Sequence, residues 1–217
     1  MTNKDTALLV FLLDRSGSMY DIKEDIEGGL NAYVDKQRAE AGTAFASLHQ
    51  FDNVYEDVYL DKPLEEVPRF NLEPRGSTAL FDSIARTIIE TRKRIAAMPA
   101  EKRPGIVHLN IATDGLENAS TKYSRKAIHD MIQTQEEVDK WLISYMGCDQ
   151  DAVEIGTSLG ISPERSLTYT RETAAEAMDA YSQLTSTARR ARSRGADLDE
   201  VLLGSVFTER QRRATGK

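Results

Sequence analysis

The chain has 217 residues, the size of one domain with at most a short appendage. Its 40% hydrophobic and 7% aromatic content can fill a sizeable core, and the 29% charged residues are spread rather than blocked, which excludes wholesale disorder. A net charge of -7 disfavours general nucleic-acid binding, no apolar run approaches the ~18–20 residues of a membrane helix, and a single cysteine, Cys148, excludes an internal disulfide framework.

In chain order, Thr6 to Leu13 is an apolar run bounded by charge, the pattern of a strand buried on both faces. It is too short for a secretory signal, so with the lone cysteine it points to the cytoplasm. Ile22, Ile26, Leu30, Tyr33 and Val34 then recur at helical spacing. Ala44–Phe51 and Val54–Leu60 read as two strands joined at Asp52-Asn53, a hairpin. Pro63, Pro68 and Pro74 hold a loop open until Gly76. A second helix starts near Ala79, with Phe81, Ile84, Ala85, Ile88 and Ile95 on one stripe, and Pro99 and Pro104 end it.

Ile106 to Ala112 is the second central strand, Tyr123 to about Val138 a helix, and Leu142–Met146 a third buried strand. Ala152, Ile155 and Leu159 mark a short helix, Ser166–Thr170 a short strand, and Ala174, Ala177, Met178, Tyr181, Leu184 and Ala188 the last long helix. Alternation of this kind predicts an α/β domain: a doubly wound, mostly parallel, Rossmann-like sheet flanked by helices, with Val54–Leu60 as one short antiparallel edge strand. The domain is expected over residues 1–194, with 195–217 as a mixed-charge tail. Gly195 and the closing Ala-Thr-Gly-Lys favour loose attachment; Val201, Leu202, Leu203, Val206 and Phe207 favour docking on the body or on a partner.

In such a sheet, functional residues belong just beyond the carboxyl ends of the strands, where strand order reverses. Three polar clusters fall there: Asp14-Arg15-Ser16-Gly17-Ser18, Gly76-Ser77-Thr78-Ala79 and Thr113-Asp114-Gly115. Asp14, Ser16, Ser18, Thr78 and Asp114 offer two carboxylates and three hydroxyls without His or Cys. Hard oxygen donors of this kind select Mg²⁺, with Mn²⁺ or Ca²⁺ possible, over zinc or copper. Spacing of two puts Asp14, Ser16 and Ser18 on one side of a turn, Gly17 is free to bend sharply, and the following helix adds a positive dipole end.

These three segments, in this order and setting, resemble the metal-ion-dependent adhesion site (MIDAS) of von Willebrand factor A domains, over roughly residues 5–190. The resemblance implies that the serines and Thr78 ligate a divalent cation directly or nearly so and that one or both aspartates act through water. It further implies that a partner protein supplies a carboxylate to the remaining position. Function would then be metal-dependent protein–protein interaction without catalysis. Intracellular bacterial and phage members of the family work beside MoxR-type AAA+ ATPases or in tellurite-resistance and stress clusters, and nothing in these residues selects among those settings.

Two other classes compete. A hydrolase acting on phosphoesters could use the same metal, although the position two after Asp14 is Ser16 where haloacid-dehalogenase-type phosphatases carry a second Asp. A ribonucleoprotein role could use the tail, since Arg189 to the C-terminus carries eight basic and four acidic residues, a local +4, against -11 for the rest. Gly156-Thr157-Ser158-Leu159-Gly160 matches a hydrolase elbow, but its serine falls in a predicted helix rather than a strand-to-helix turn. His49, His108 and His129 are scattered along the chain and favour structural roles. Cys148 favours a small buried apolar role. Glu117 and Asn118 are candidates for the rim of the site.

Overall fold

The computed structural model describes residues 3–216. Six strands, β1 (Asn3–Asp14), β2 (Thr43–Phe51), β3 (Tyr55–Pro63), β4 (Pro104–Thr113), β5 (Leu142–Cys148) and β6 (Ser166–Tyr169), form one sheet in the order β3-β2-β1-β4-β5-β6. All neighbouring pairs are parallel except β2 with β3, which is the predicted antiparallel edge. β1 sits between β2 and β4, and every residue from Ala7 to Leu13 is buried, Val10 and Leu12 with no exposed surface.

Side chains alternate along β1, so its two faces feed two cores. Leu9, Phe11 and Leu13 pack with α1 (Lys23–Arg38) and α5 (Ala174–Ser193); Leu8, Val10 and Leu12 pack with α2 (Leu80–Ala97) and α3 (Arg125–Glu137). Each fully buried leucine or isoleucine contributes about 1.5–3 kcal/mol against leaving it exposed. A short helix, α4 (Ala152–Ser158), bridges β5 to β6 and stops at Gly160, whose φ of +87° suits a residue without Cβ. The chain leaves β1 toward β2 on one side and returns to β4 on the other, so the reversal of strand order lies between the ends of β1 and β4.

The C-terminal segment, for which the sequence offers both loose attachment and docking, packs against the body. It forms α6 (Leu198–Gly204) and α7 (Glu209–Thr215), each opened by a capping box, at Asp197 and at Thr208. Val201 and Phe207 are buried in the α1/α5 core, and Phe207 stacks on Tyr181 with ring centroids 5.6 Å apart. Phe207 N–H donates to the carbonyl of Glu164 at 2.9 Å, Thr173 Oγ1 to that of Thr215 at 2.7 Å, and Arg212 to that of Ser166 at 2.8 Å. The apolar cluster outweighs the charge around it because only a few of its side chains need to be buried. Phe207→Ala should cost about 3–5 kcal/mol in urea denaturation, and truncation after Arg194 should lower the midpoint further. An unchanged midpoint for both proteins would restore the dispensable tail.

Candidate metal centre

Asp14 ends the central strand with no exposed surface. Its Oδ1 accepts the N–H of Ser16 at 2.6 Å and its Oδ2 accepts the hydroxyl of Thr113 at 2.6 Å. The Thr113 bond joins the end of β4 to the end of β1, and Thr113 also accepts the N–H of Gly115 at 3.1 Å within its own turn. Ser16 is buried and Ser18 exposed; their hydroxyls lie 3.2 Å apart, and Ser18 donates to Asp114 Oδ1 at 2.7 Å. One sequence expectation for this turn changes: the segment after Ser16 is a 3₁₀ helix, Gly17–Ile22, so the dipole of α1 begins only at Lys23.

Thr78 comes from the far loop and is 2% exposed. Its N–H donates to Asn118 Oδ1 at 2.9 Å, and its carbonyl accepts the N–H groups of Asn118 at 3.1 Å and Ala119 at 3.2 Å. Glu117 accepts the N–H of Phe81 at the start of α2, together with the N–H groups of Ala119 and Ser120. Glu117 and Asn118 therefore brace the loop, and Asn118 is exposed beside Thr78.

The geometry that draws the set together is visible at Gly115. A Cβ there would stand 2.8 Å from Thr78 Oγ1, 3.6 Å from Asp14 Oδ2 and 3.6 Å from Ser16 Oγ. Three oxygens from two loops, Asp14 and Ser16 on one and Thr78 on the other, thus face one small gap that glycine leaves open on a third. All five residues expected from the sequence, Asp14, Ser16, Ser18, Thr78 and Asp114, meet at this edge. Among the described residues no group of three or more His, Cys, Asp or Glu converges to hold a metal. A candidate centre here depends on hydroxyls as much as on carboxylates, a donor set that fits a hard divalent cation.

Electrostatics agree with that donor set. Burial pushes the Asp14 carboxyl up to about 6, opposed by the bonds from Thr113 and Ser16 and reinforced by the charge of Asp114. Burial also raises Asp114, against the Ser18 bond and the Arg171 charge. Cys148, 2% exposed, is pushed up to about 12 by burial and by Asp149 and Asp114, so its thiol stays protonated.

The sequence decoys lie elsewhere. Ser158 ends α4 and donates to the carbonyl of Ile155. Burial holds His108 down at about 3 between Ser144 and Thr185, and His49 below its usual value beside Asp57; His129 lies on α3. Sequence reading missed Thr113 as a bridge and Asn118 and Glu117 as braces, because their roles are bonds to residues 36–99 positions away.

No protein-family model matches the chain, and no curated protein matches it in sequence. Solved structures do match. Proximal thread matrix protein 1 of the mussel byssus superposes with a TM-score of 0.58 at 13% identity over 83% of this chain and 46% of that one. A von Willebrand factor type A protein from Catenulispora acidiphila does so with a TM-score of 0.56 at 15% identity, over 83% and 42%. The von Willebrand factor domain of the type V pilus tip protein Mfa5 from Porphyromonas gingivalis reaches 0.58 at 12% identity, over 82% and 94%.

The fold is that of a von Willebrand factor A domain. This chain spans less than half the length of the mussel and Catenulispora chains. One structure of the mussel protein carries zinc in its MIDAS motif. Among the described residues here, no helix is long and apolar enough to cross a membrane.

Two expectations follow from the gap and from Asp14. Gly115→Ala should fold but lose most of the Mg²⁺-induced rise in melting temperature, because its Cβ fills the gap that Thr78 Oγ1, Asp14 Oδ2 and Ser16 Oγ all face; a full rise would place the cation elsewhere. For pH, the folded value of Asp14 lies above its unfolded 3.8. The stabilisation from protonated Asp14 is therefore complete below about 3.8 and lost as pH rises through about 6. In EDTA, stability should fall by on the order of 3 kcal/mol between these limits from this group. Cation affinity should rise over the same window, since the ion competes with the proton. Calorimetry at pH 5 and pH 7.5 checks the second trend, and a pH-independent affinity would exclude Asp14 from the site.

Proposed function

We propose that this chain is a non-catalytic, cation-dependent protein-binding module that grips an acidic side chain of a partner. The observation that carries the reading is the convergence of Asp14 Oδ2, Ser16 Oγ and Thr78 Oγ1 on the Gly115 gap at the strand-order reversal. Asp14, Ser16, Ser18, Thr78 and Asp114 are the residues that would hold the ion, with Mg²⁺ the best fit to two carboxylates and three neutral hydroxyls. When bound, the ion supplies a hard, positively charged position to which a partner's carboxylate can attach.

The chain's own residues support binding over turnover. Arg15, the cation nearest in sequence, is buried and bonded to Asp52 and Glu56, and Arg171 is paired with Asp21 and Asp149. Neither is held in reserve for a transferring phosphoryl group, which phosphoester chemistry would call for. Tyr20 and Leu116, each two residues past a candidate ligand, are 73% and 65% exposed, and so offer apolar contact area beside the acidic site. The ribonucleoprotein reading is weakened: Arg189, Arg192 and Arg212 donate to backbone carbonyls within the fold, and Arg190 pairs with Glu40. A MoxR-type ATPase in the cytoplasm remains one partner consistent with the resemblance.

The test is affinity capture from extract with Mg²⁺ or with chelator, run beside calorimetry for the cation. Asp14→Ala should lose both cation and partner. Thr78→Ala should lower partner capture more than cation affinity, because this ligand lies on a separate loop and the other four remain. Retention by Asp14→Ala of the same captured proteins in Mg²⁺ would sink the reading, and metal-dependent turnover of phosphoesters would replace it with the hydrolase.

A further inference from the structure

The bonds within the oxygen cluster link Asp14, Ser16, Ser18 and Asp114, while Thr78 arrives on a loop of its own. Its distance from Ser16 is set one layer below, at Asp52 in the turn between β2 and β3. Asp52 is 1% exposed, and its Oδ2 accepts from Arg15 Nε at 3.1 Å and from Arg75 Nε at 2.9 Å. Oδ1 accepts the N–H of Val54, and the Asp52 carbonyl accepts the N–H of Ala79 at 3.1 Å. Arg15 separates the candidate ligands Asp14 and Ser16; Arg75 and Ala79 bracket the Gly76–Thr78 turn.

Backbone bonds complete the lock. Arg75 N–H donates to the Arg15 carbonyl at 2.7 Å, Gly17 N–H to the Gly76 carbonyl at 3.2 Å, and Arg15 N–H to the Phe51 carbonyl at 2.8 Å. Gly76 has a φ of +71°, and a Cβ there would stand 2.3 Å from Asn53 Oδ1 and 3.1 Å from Asp52 Cβ. The turn is therefore pressed against the hairpin that carries Asp52.

The two arginines differ in what holds them. Arg15 has a 5% exposed side chain and a second anchor in Glu56, so it cannot leave without stranding a buried charge. Arg75 is 57% exposed, and its carboxylate contact is Asp52 at 2.9 Å. An ion pair with one half in solvent is weak and salt-sensitive.

We propose that Asp52 is the positioning residue of this centre: its pairing with Arg75 latches the Thr78 loop to the Ser16 loop, and opening that pair loosens the approach of Thr78 to the gap, against its remaining backbone bonds, while the other four ligands stay in place. This rests on the divalent-cation reading above. Asp52 acts through Thr78 and touches neither ion nor partner.

The experiment uses the full chain with Mn²⁺ as probe and compares the parent, Asp14→Ala, Arg75→Ala, Arg75→Lys, Thr78→Ala and the Arg75→Ala/Thr78→Ala double variant. Calorimetry gives Mn²⁺ affinity; hydrogen exchange in EDTA reports the Thr78 and Ala79 amides. Arg75→Ala should speed exchange of those amides and weaken Mn²⁺ by about two- to fivefold each. Arg75→Lys should recover part of both, since a point charge still reaches Asp52.

The double variant should bind Mn²⁺ no more weakly than Thr78→Ala alone, because the latch acts only through Thr78. Losses that multiply in the double variant, or an Arg75→Ala protein with parental exchange and affinity, overturn the positioning role alone. Equal Mn²⁺ binding by the parent and Asp14→Ala overturns the cation reading and the proposal with it.

Discussion

A carboxylate with no exposed surface at the end of the central strand is the constraint around which this molecule is arranged. Asp14 cannot be left bare there, because a buried unpaired charge costs several kcal/mol. The fold supplies two donors, the N–H of Ser16 from its own loop and the hydroxyl of Thr113 from the neighbouring strand. Meeting that need joins the ends of β1 and β4, the two strands between which the order reverses. The same bonds aim Asp14, Ser16 and the Thr113-Asp114-Gly115 turn at one gap. Even with these donors Asp14 stays raised to about 6, a residual cost of burial that a cation would offset.

Polar groups are handled differently away from the site. Beneath α5, Tyr33, Thr185, His108 and Ser144 form a buried chain of hydrogen bonds, and Gln37 bonds Ser182 and Ser186. These groups satisfy one another and face no solvent; burial holds the His108 imidazole down and the Tyr33 hydroxyl up, so the chain acts as a fixed part of the packing. The basic C-terminal residues have a comparable fate. Arg189 and Arg192 close off backbone carbonyls at the far end of the sheet, although the local +4 balance had made this segment a candidate nucleic-acid surface. A positive local balance in sequence is thus a poor guide to positive surface when guanidinium groups serve as carbonyl donors.

Legibility differed with the range of the interaction. The strands and long helices could be read from apolar periodicity, because each is a local consequence of which face must be buried. The hairpin and its antiparallel edge followed from turn residues. All five candidate ligands could be named because each lies just past a strand or opens a helix, and a parallel sheet brings such points together. Thr113, Asn118, Glu117 and Asp52 could not be named in these roles, since a threonine or an acid in a loop carries no local sign of the distant group it will bond.

The apolar run of β1, the alternation of strands and helices, and the order of three oxygen-rich turns were therefore properties of the sequence alone. Tertiary structure decided how far apart those turns stand, which of their oxygens face Gly115, and that residues 198–215 pack on the body. The physical reason is that periodicity encodes which side of a segment leaves water, a property of a few consecutive residues. Distances between loops depend on long-range bonds, such as those of Asp52 to Arg15 and Arg75, whose partners lie 37 and 23 residues away and meet only once the sheet has formed.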